Sequence, residues 1–157
     1  MMPFTEAEFR HQIILLSEIE NQSDRSSAIV GAAWIEEELK TAIKSKLLDD
    51  EGVWDNLFKT SGPLGSFSSC IDLAYLINII TKCQHSDLQK LRKIRNEFAH
   101  ELVSREIESL SFESTNIKDR CMSLACVKEK DGHTPRQVFC RACKTLYSDL
   151  YLVSWED

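Results

Sequence analysis

Breakers of regular structure are scarce in this chain and collect between its periodic stretches: 157 residues hold five glycines and three prolines. Glycine and proline mark where a helix stops or a chain turns, so this distribution favours helices over a strand-and-turn architecture. The stretches between them carry helical period. Thr5-Glu6-Ala7-Glu8 has the form of a capping box, and Phe9, Ile13, Leu16 and Ile19 follow it on one stripe to about Glu20. Ser23-Asp24 can cap a longer helix to about Leu48, with Ile29, Ala33, Ile35, Leu39, Ile43 and Leu47 as its apolar positions. Pairs such as Glu36–Lys40 give that helix a solvated face. Asp49 to Thr60, with Trp54, Leu57 and Phe58, reads as a short helix.

Ser61-Gly62-Pro63-Leu64-Gly65-Ser66 is the clearest connector. Beyond it, Phe67 to Thr81 is apolar nearly all round, the pattern of a helix buried on most sides. Ser86, with Gln89 three positions on, opens the next helix, and Ser111 to about Val127 reads as a shorter one. After the polar turn Lys128 to His133, Thr134-Pro135-Arg136-Gln137 supplies a cap, a proline at the first helical position and a Gln at the third. The last helix runs to about Val153. The expected fold is all-α, a single domain over 1–157 built as a bundle of six or seven helices. That length buries a core without metal or disulfide staples.

The net charge of −6 argues against non-specific duplex binding, which relies on lysine and arginine displacing counterions from phosphates. No stretch reaches the roughly 20 apolar residues that cross a bilayer, and the run Ile13 to Leu16 is too short for a signal core. A cytoplasmic protein with six free thiols is expected. Cys140-Arg141-Ala142-Cys143, preceded by Cys121, Cys126 and His133, lacks the loop-rich surround of a zinc site. Its cysteines are expected as buried thiols on helices, with no metal and no cofactor. Trp34, Trp54, Tyr75 and Trp155 read as core or interface rather than a ligand cage, and His11 and His85 as ordinary surface positions.

Arg95-Asn96-Glu97-Phe98-Ala99-His100 carries the most chemistry. At about 100° per residue, Leu88, Leu91, Ile94, Phe98 and Leu102 share one side of this helix, while Asn96 and His100 project from roughly the other and Arg95 lies at the border. Two readings stand side by side. In the first, Asp72 forms a structural ion pair with Arg95, since a carboxylate inside the apolar run Cys70 to Ile80 needs a partner. In the second, Arg95 holds a phosphate, His100 moves a proton and Asn96 orients either group, the kit for cleaving RNA without a metal. One histidine is not easily both acid and base, so a symmetric dimer would complete such a site. Lys90, Arg92 and Lys93, with Arg95, are candidate nucleic-acid contacts on the same helix.

Two further stretches bear on identity. Gly62-Pro63-Leu64-Gly65-Ser66-Phe67 runs into Ile71-Asp72-Leu73-Ala74-Tyr75, and Ile94-Arg95-Asn96-Glu97-Phe98-Ala99-His100 follows, with Leu110-Ser111-Phe112 beyond. Their order resembles the mannitol operon repressor (MltR) family. The resemblance implies an all-helical bacterial regulator of mannitol uptake and catabolism genes. The R-N-x-x-x-H segment also looks like the signature of the broader HEPN helical superfamily, which implies Arg95, Asn96 and His100 at a dimeric ribonuclease site. No helix-turn-helix with a basic recognition helix is visible, which speaks against direct sequence-specific DNA binding. The expectation is a homodimeric transcriptional regulator acting through a protein or RNA partner. A metal-independent endoribonuclease and a non-catalytic interaction module are the alternatives.

Overall fold

Side-chain caps set most of the element boundaries. The computed structural model describes residues 5–100 and 110–155, and among them lie seven α-helices and no strand. They are α1 (Glu6–Asn21), α2 (Asp24–Ser45), α3 (Glu51–Phe58), α4 (Phe67–Leu76), α5 (Lys82–His100), α6 (Thr115–Met122) and α7 (Pro135–Val153). Thr5 and Glu8 form the expected box, as do Thr134 and Gln137 with Pro135 inside the first turn. The Ser23, Asp50 and Ser66 side chains each accept from the amide three residues on. None of the described helices is long and apolar enough to cross a membrane.

Two boundaries differ from expectation, each for a local reason. Helix α4 stops at Leu76 rather than Thr81, because Asn78 takes a left-handed conformation (φ 63°). The Ile79 amide then donates back to the Ala74 carbonyl at 2.8 Å and the Asn78 amide to that of Tyr75 at 3.1 Å. This Schellman closure satisfies carbonyls the helix end would otherwise orphan. Helix α5 begins a turn earlier than Ser86, on a second box: Gln84 N–H donates to Thr81 Oγ1 (3.2 Å) while Gln84 Oε1 accepts from Thr81 N–H (2.8 Å). Helices α3 and α6 are also shorter than read, and Leu102 lies outside the described residues.

Helices α2 and α7 form the spine; α1, α4 and α5 pack against α2, and α6 bridges α5 and α7. The buried stripe of α2 keeps the expected Ile35, Leu39 and Ile43, but completes it with Ala28, Gly31, Ala32 and Ala42 rather than Ile29, Ala33 and Leu47. Its first half is made of small residues because α7 comes close there. A Cβ on Gly31 would sit 3.0 Å from the Phe139 ring and 3.2 Å from Cys143 Sγ. Phe139 packs tilted on Phe112, and Phe112 on Phe98, both at 5.2 Å. Such pairs add about 0.5–1.5 kcal/mol beyond the area they bury.

Two polar anchors lock the bundle. The Arg136 guanidinium on α7 spans the α1–α2 corner, donating to Asp24 Oδ1 (3.0 Å), Ser27 Oγ (2.9 Å) and the carbonyls of Ile19 (3.1 Å), Glu20 (2.8 Å) and Gln22. Asp24 also accepts from the Phe112 amide at 2.9 Å. On α5, the fully buried Asp87 accepts from the amides of Ala125 (3.0 Å) and Cys126 (2.7 Å), fixing the loop after α6.

Candidate functional site: the polar flank of helix α5

Leu88, Leu91, Ile94 and Phe98 bury one side of α5, as the period requires. The opposite flank carries His85, Gln89, Arg92, Asn96 and His100, spaced three or four residues apart along about four turns. Asp72 of α4 anchors its first half. His85 Nε2 lies 2.8 Å from Asp72 Oδ1, and Gln89 Nε2 donates to the same oxygen at 3.2 Å. Gln89 Oε1 in turn accepts from Arg92 Nε at 2.9 Å. The Tyr75 ring packs on His85 with centroids 5.0 Å apart. His85 is therefore part of a built network, not the ordinary surface histidine the sequence implied.

The expected Asp72–Arg95 ion pair is not among the contacts of the described residues. Asp72 had been placed inside an apolar run, yet Phe67, Cys70, Ile71 and Ala74 supply the buried face of α4 and turn it outward. Its side chain is 59% exposed and needs no buried cation. Arg95 is half-buried, and its Nε is inaccessible to solvent without a hydrogen-bond partner. Asn96 is half-buried and His100, the last described residue of α5, is exposed. Among the described residues, neither the Asn96 nor the His100 side chain makes a hydrogen bond.

The basic cluster does not form one patch. Lys90 donates to the Ser123 carbonyl at 2.7 Å and lies 3.4 Å from Asp87, Arg92 is turned toward Gln89, and Lys93 is exposed. Glu97 pairs with Arg120 of α6 on the far flank.

All six cysteines are free, and Cys140 and Cys143 are buried as expected. Burial pushes the Cys140 thiol up to about 11 and those of Cys121 and Cys126 to about 12, so all three stay protonated at neutral pH. Among the described residues no three His, Cys, Asp or Glu side chains are grouped to hold a metal ion. Of the aromatics expected in core or interface, Tyr75 and Trp155 are exposed and Trp34 and Trp54 half-buried. Trp155 is 66% exposed, at the mouth of a cleft it shares with Trp54, Tyr147 and Tyr151. Only the tyrosines' i, i+4 spacing, continued by Trp155, signalled this alignment in the sequence.

No protein-family model matches the chain, and neither does any curated protein. Among solved structures it is similar to a chain in the X-ray structure of the MtlR–HPr complex from Escherichia coli. The TM-score is 0.74 at 17% identity, over 90% of this chain and 99% of that one. At such identity the likeness is one of fold, and it agrees with the fold that the G-P-L-G-S-F and I-R-N-x-F-A-H stretches implied. No comparison brings in a HEPN protein. The chain thus has an MtlR-like, all-α fold.

Proposed function

We propose that this chain is a regulatory protein that works by binding another protein, and that it governs mannitol-utilisation genes through that contact. The observation that carries this reading is the likeness of fold to MtlR, a mannitol operon regulator solved together with HPr, along nearly the whole of both chains. HPr is the partner to try first. Two properties of this chain support an indirect mechanism: its net charge of −6 and the dispersal of its α5 cations around the helix. We assign Arg95, Asn96 and His100 to the partner surface, because Asn96 and His100 lie on the polar flank of α5 and the half-buried Arg95 borders it. The functional protein on this reading is a homodimer, checked by sedimentation equilibrium.

Calorimetric titration of the purified chain with HPr tests the proposal. Saturable binding is expected, weakened about tenfold or more in Arg95→Ala, a cost of roughly 1.4 kcal/mol. Absence of binding to HPr overturns the partner assignment. Titration with mannitol-operator DNA across salt separates direct from indirect repression, since a phosphate reader weakens steeply as salt rises. Tight, salt-sensitive binding would contradict the indirect mechanism.

The ribonuclease reading is the second one, favoured by a single observation: among the described residues the half-buried Arg95 forms no ion pair. Arg95 would hold the scissile phosphate, His100 would transfer the proton and Asn96 would orient them. Residues five apart stand about 140° apart around a helix, so one chain does not aim both at one phosphate and a paired copy is required. Incubation with labelled single-stranded RNA in chelator decides it. We expect intact RNA with both wild type and His100→Ala; cleavage by the wild type alone would establish the nuclease.

A further inference from the structure

A cleft of about 600 Å³ opens between α1, α2, α3 and α7, within the size range of small-molecule sites. One wall is an aromatic ladder on α7. Tyr147 stacks on Trp34 of α2 with centroids 4.2 Å apart, Tyr151 follows at 6.3 Å and Trp155 at 5.9 Å beyond it. Trp54 of α3 faces it across the opening. Into this aromatic space project two carboxylates, Glu38 from α2 and Glu8 from α1.

The charge arrangement is uneven in an informative way. The neighbours Glu36 and Glu37 both pair with Lys40, at 3.3 and 3.1 Å. Neither Glu38 nor Glu8 has an ion pair among the described residues. The cation in the cleft, Lys44, bypasses them and places its Nζ over the rings of Trp54 (5.5 Å) and Phe58 (4.9 Å). Burial raises the Glu38 carboxyl above its ordinary value, and a hydrogen bond from Tyr147 lowers it in part. Tyr147 itself is pushed up to about 12, chiefly by burial, and keeps its proton. Glu8 is held below the usual carboxylate range by its hydrogen bonds to Thr5 and stays ionised. A half-buried acid without an ion pair, beside the exposed Trp155 indole and a Trp54 ring that already draws an ammonium, is the environment that recognises an organic cation, by charge and by ring quadrupole together.

We propose that this cleft is a binding site for an alkylammonium group on an apolar stem, held between the Glu38 and Glu8 carboxylates and the indoles of Trp155 and Trp54. The group comes either from a free amine or from a lysine side chain of a bound protein. The site is separate from the α5 flank and does not depend on the partner assigned to it.

Calorimetry on the full chain tests this with butylammonium, with a blocked Ala-Lys-Ala peptide, and with 1-butanol as the neutral control. Butylammonium, the peptide or both should bind, and 1-butanol should bind at least fivefold more weakly than the better of them. Binding of butylammonium alone marks a free amine as the ligand, and binding of the peptide marks a protein side chain. Trp155→Ala, at an exposed position where folding is not at stake, should weaken binding about fivefold, the worth of about 1 kcal/mol. Glu38→Gln should weaken it at least as much. Lys44→Met, which removes the resident cation from Trp54, should tighten it a few-fold. Equal binding of 1-butanol, no binding of either cation, or wild-type affinity in Trp155→Ala and Glu38→Gln together would overturn the proposal.

Discussion

Two arginines lie at the edge of the core and are treated in opposite ways. Arg136 has its donors spread over one carboxylate, one hydroxyl and three carbonyls, tying α7 to the corner between α1 and α2. Arg95, on α5, keeps a buried Nε that nothing among the described residues accepts. A half-buried cation bonded this widely to the fold is scaffold, and removing it strands its partners. An unsatisfied one costs the fold free energy, and is retained where something outside the fold makes use of it. The sequence offered Arg95 a candidate acid, Asp72, and singled out no partner for Arg136.

Substitutions at the two sites should therefore diverge. Arg136→Ala should be the most damaging, about 3 kcal/mol, because Asp24 and three helix-end carbonyls lose their donor while partly shielded from water. Denaturant unfolding measures it, and a loss under about 1 kcal/mol would reduce the clamp to a surface pair. Asp87→Ala should cost about 2–3 kcal/mol by orphaning the Ala125 and Cys126 amides. Hydrogen exchange at those two amides should accelerate with it; unchanged protection would mean the loop is held by other contacts.

Gly31→Ala should cost about 1–2 kcal/mol, since the new methyl must displace the Phe139 ring and Cys143. A neutral result would show that α2 and α7 separate more easily than their packing implies. At the other extreme, Arg95→Met should leave stability within about 1 kcal/mol of wild type or raise it, because an apolar stem replaces an unpaired donor of similar length.

The smallest effect concerns pH. Glu38 has its carboxyl raised in the folded state, so folding favours the protonated form. Stability from this group is present below the unfolded carboxylate range near 4.5 and is lost as pH rises through the raised value. Glu38→Gln should flatten that part of the stability–pH curve. An unaltered slope would mean the side chain is better solvated than its place beside Tyr147 implies.

The helical architecture was legible because caps and period are local. Thr5 with Glu8, and Thr134 with Pro135 and Gln137, fix helix starts by contacts within one turn. Where two local signals competed, the sequence misled. Ser86–Gln89 repeats the pattern of Thr81–Gln84, and only the backbone decides which cap is used. Counting apolar residues carried α4 past Leu76, although the left-handed Asn78 stops it and leaves Leu76 79% exposed. The α2 stripe was partly misplaced, because Ala28, Gly31 and Ala32 weigh little in a hydrophobic pattern, although α7 lies against them.

Long-range polar contacts were least legible. Arg136 meets carbonyls more than 110 positions away, and Asp87, which read as one acid beside a basic run, is fully buried against a loop 38 residues on. On the α5 flank, helical phase accounts for the exposed His100 and the half-buried Asn96, whereas Asp72 meets His85. A histidine thirteen residues from an aspartate offers no periodic clue when a Schellman turn lies between them.

The most direct measurement pairs two quantities on one variant: the unfolding free energy of Arg95→Met and its affinity for HPr, the proposed partner, in the same buffer. We expect stability within about 1 kcal/mol of wild type and affinity reduced at least about tenfold. A stability loss of about 3 kcal/mol with unchanged affinity would contradict this, for Arg95 would then be scaffold like Arg136.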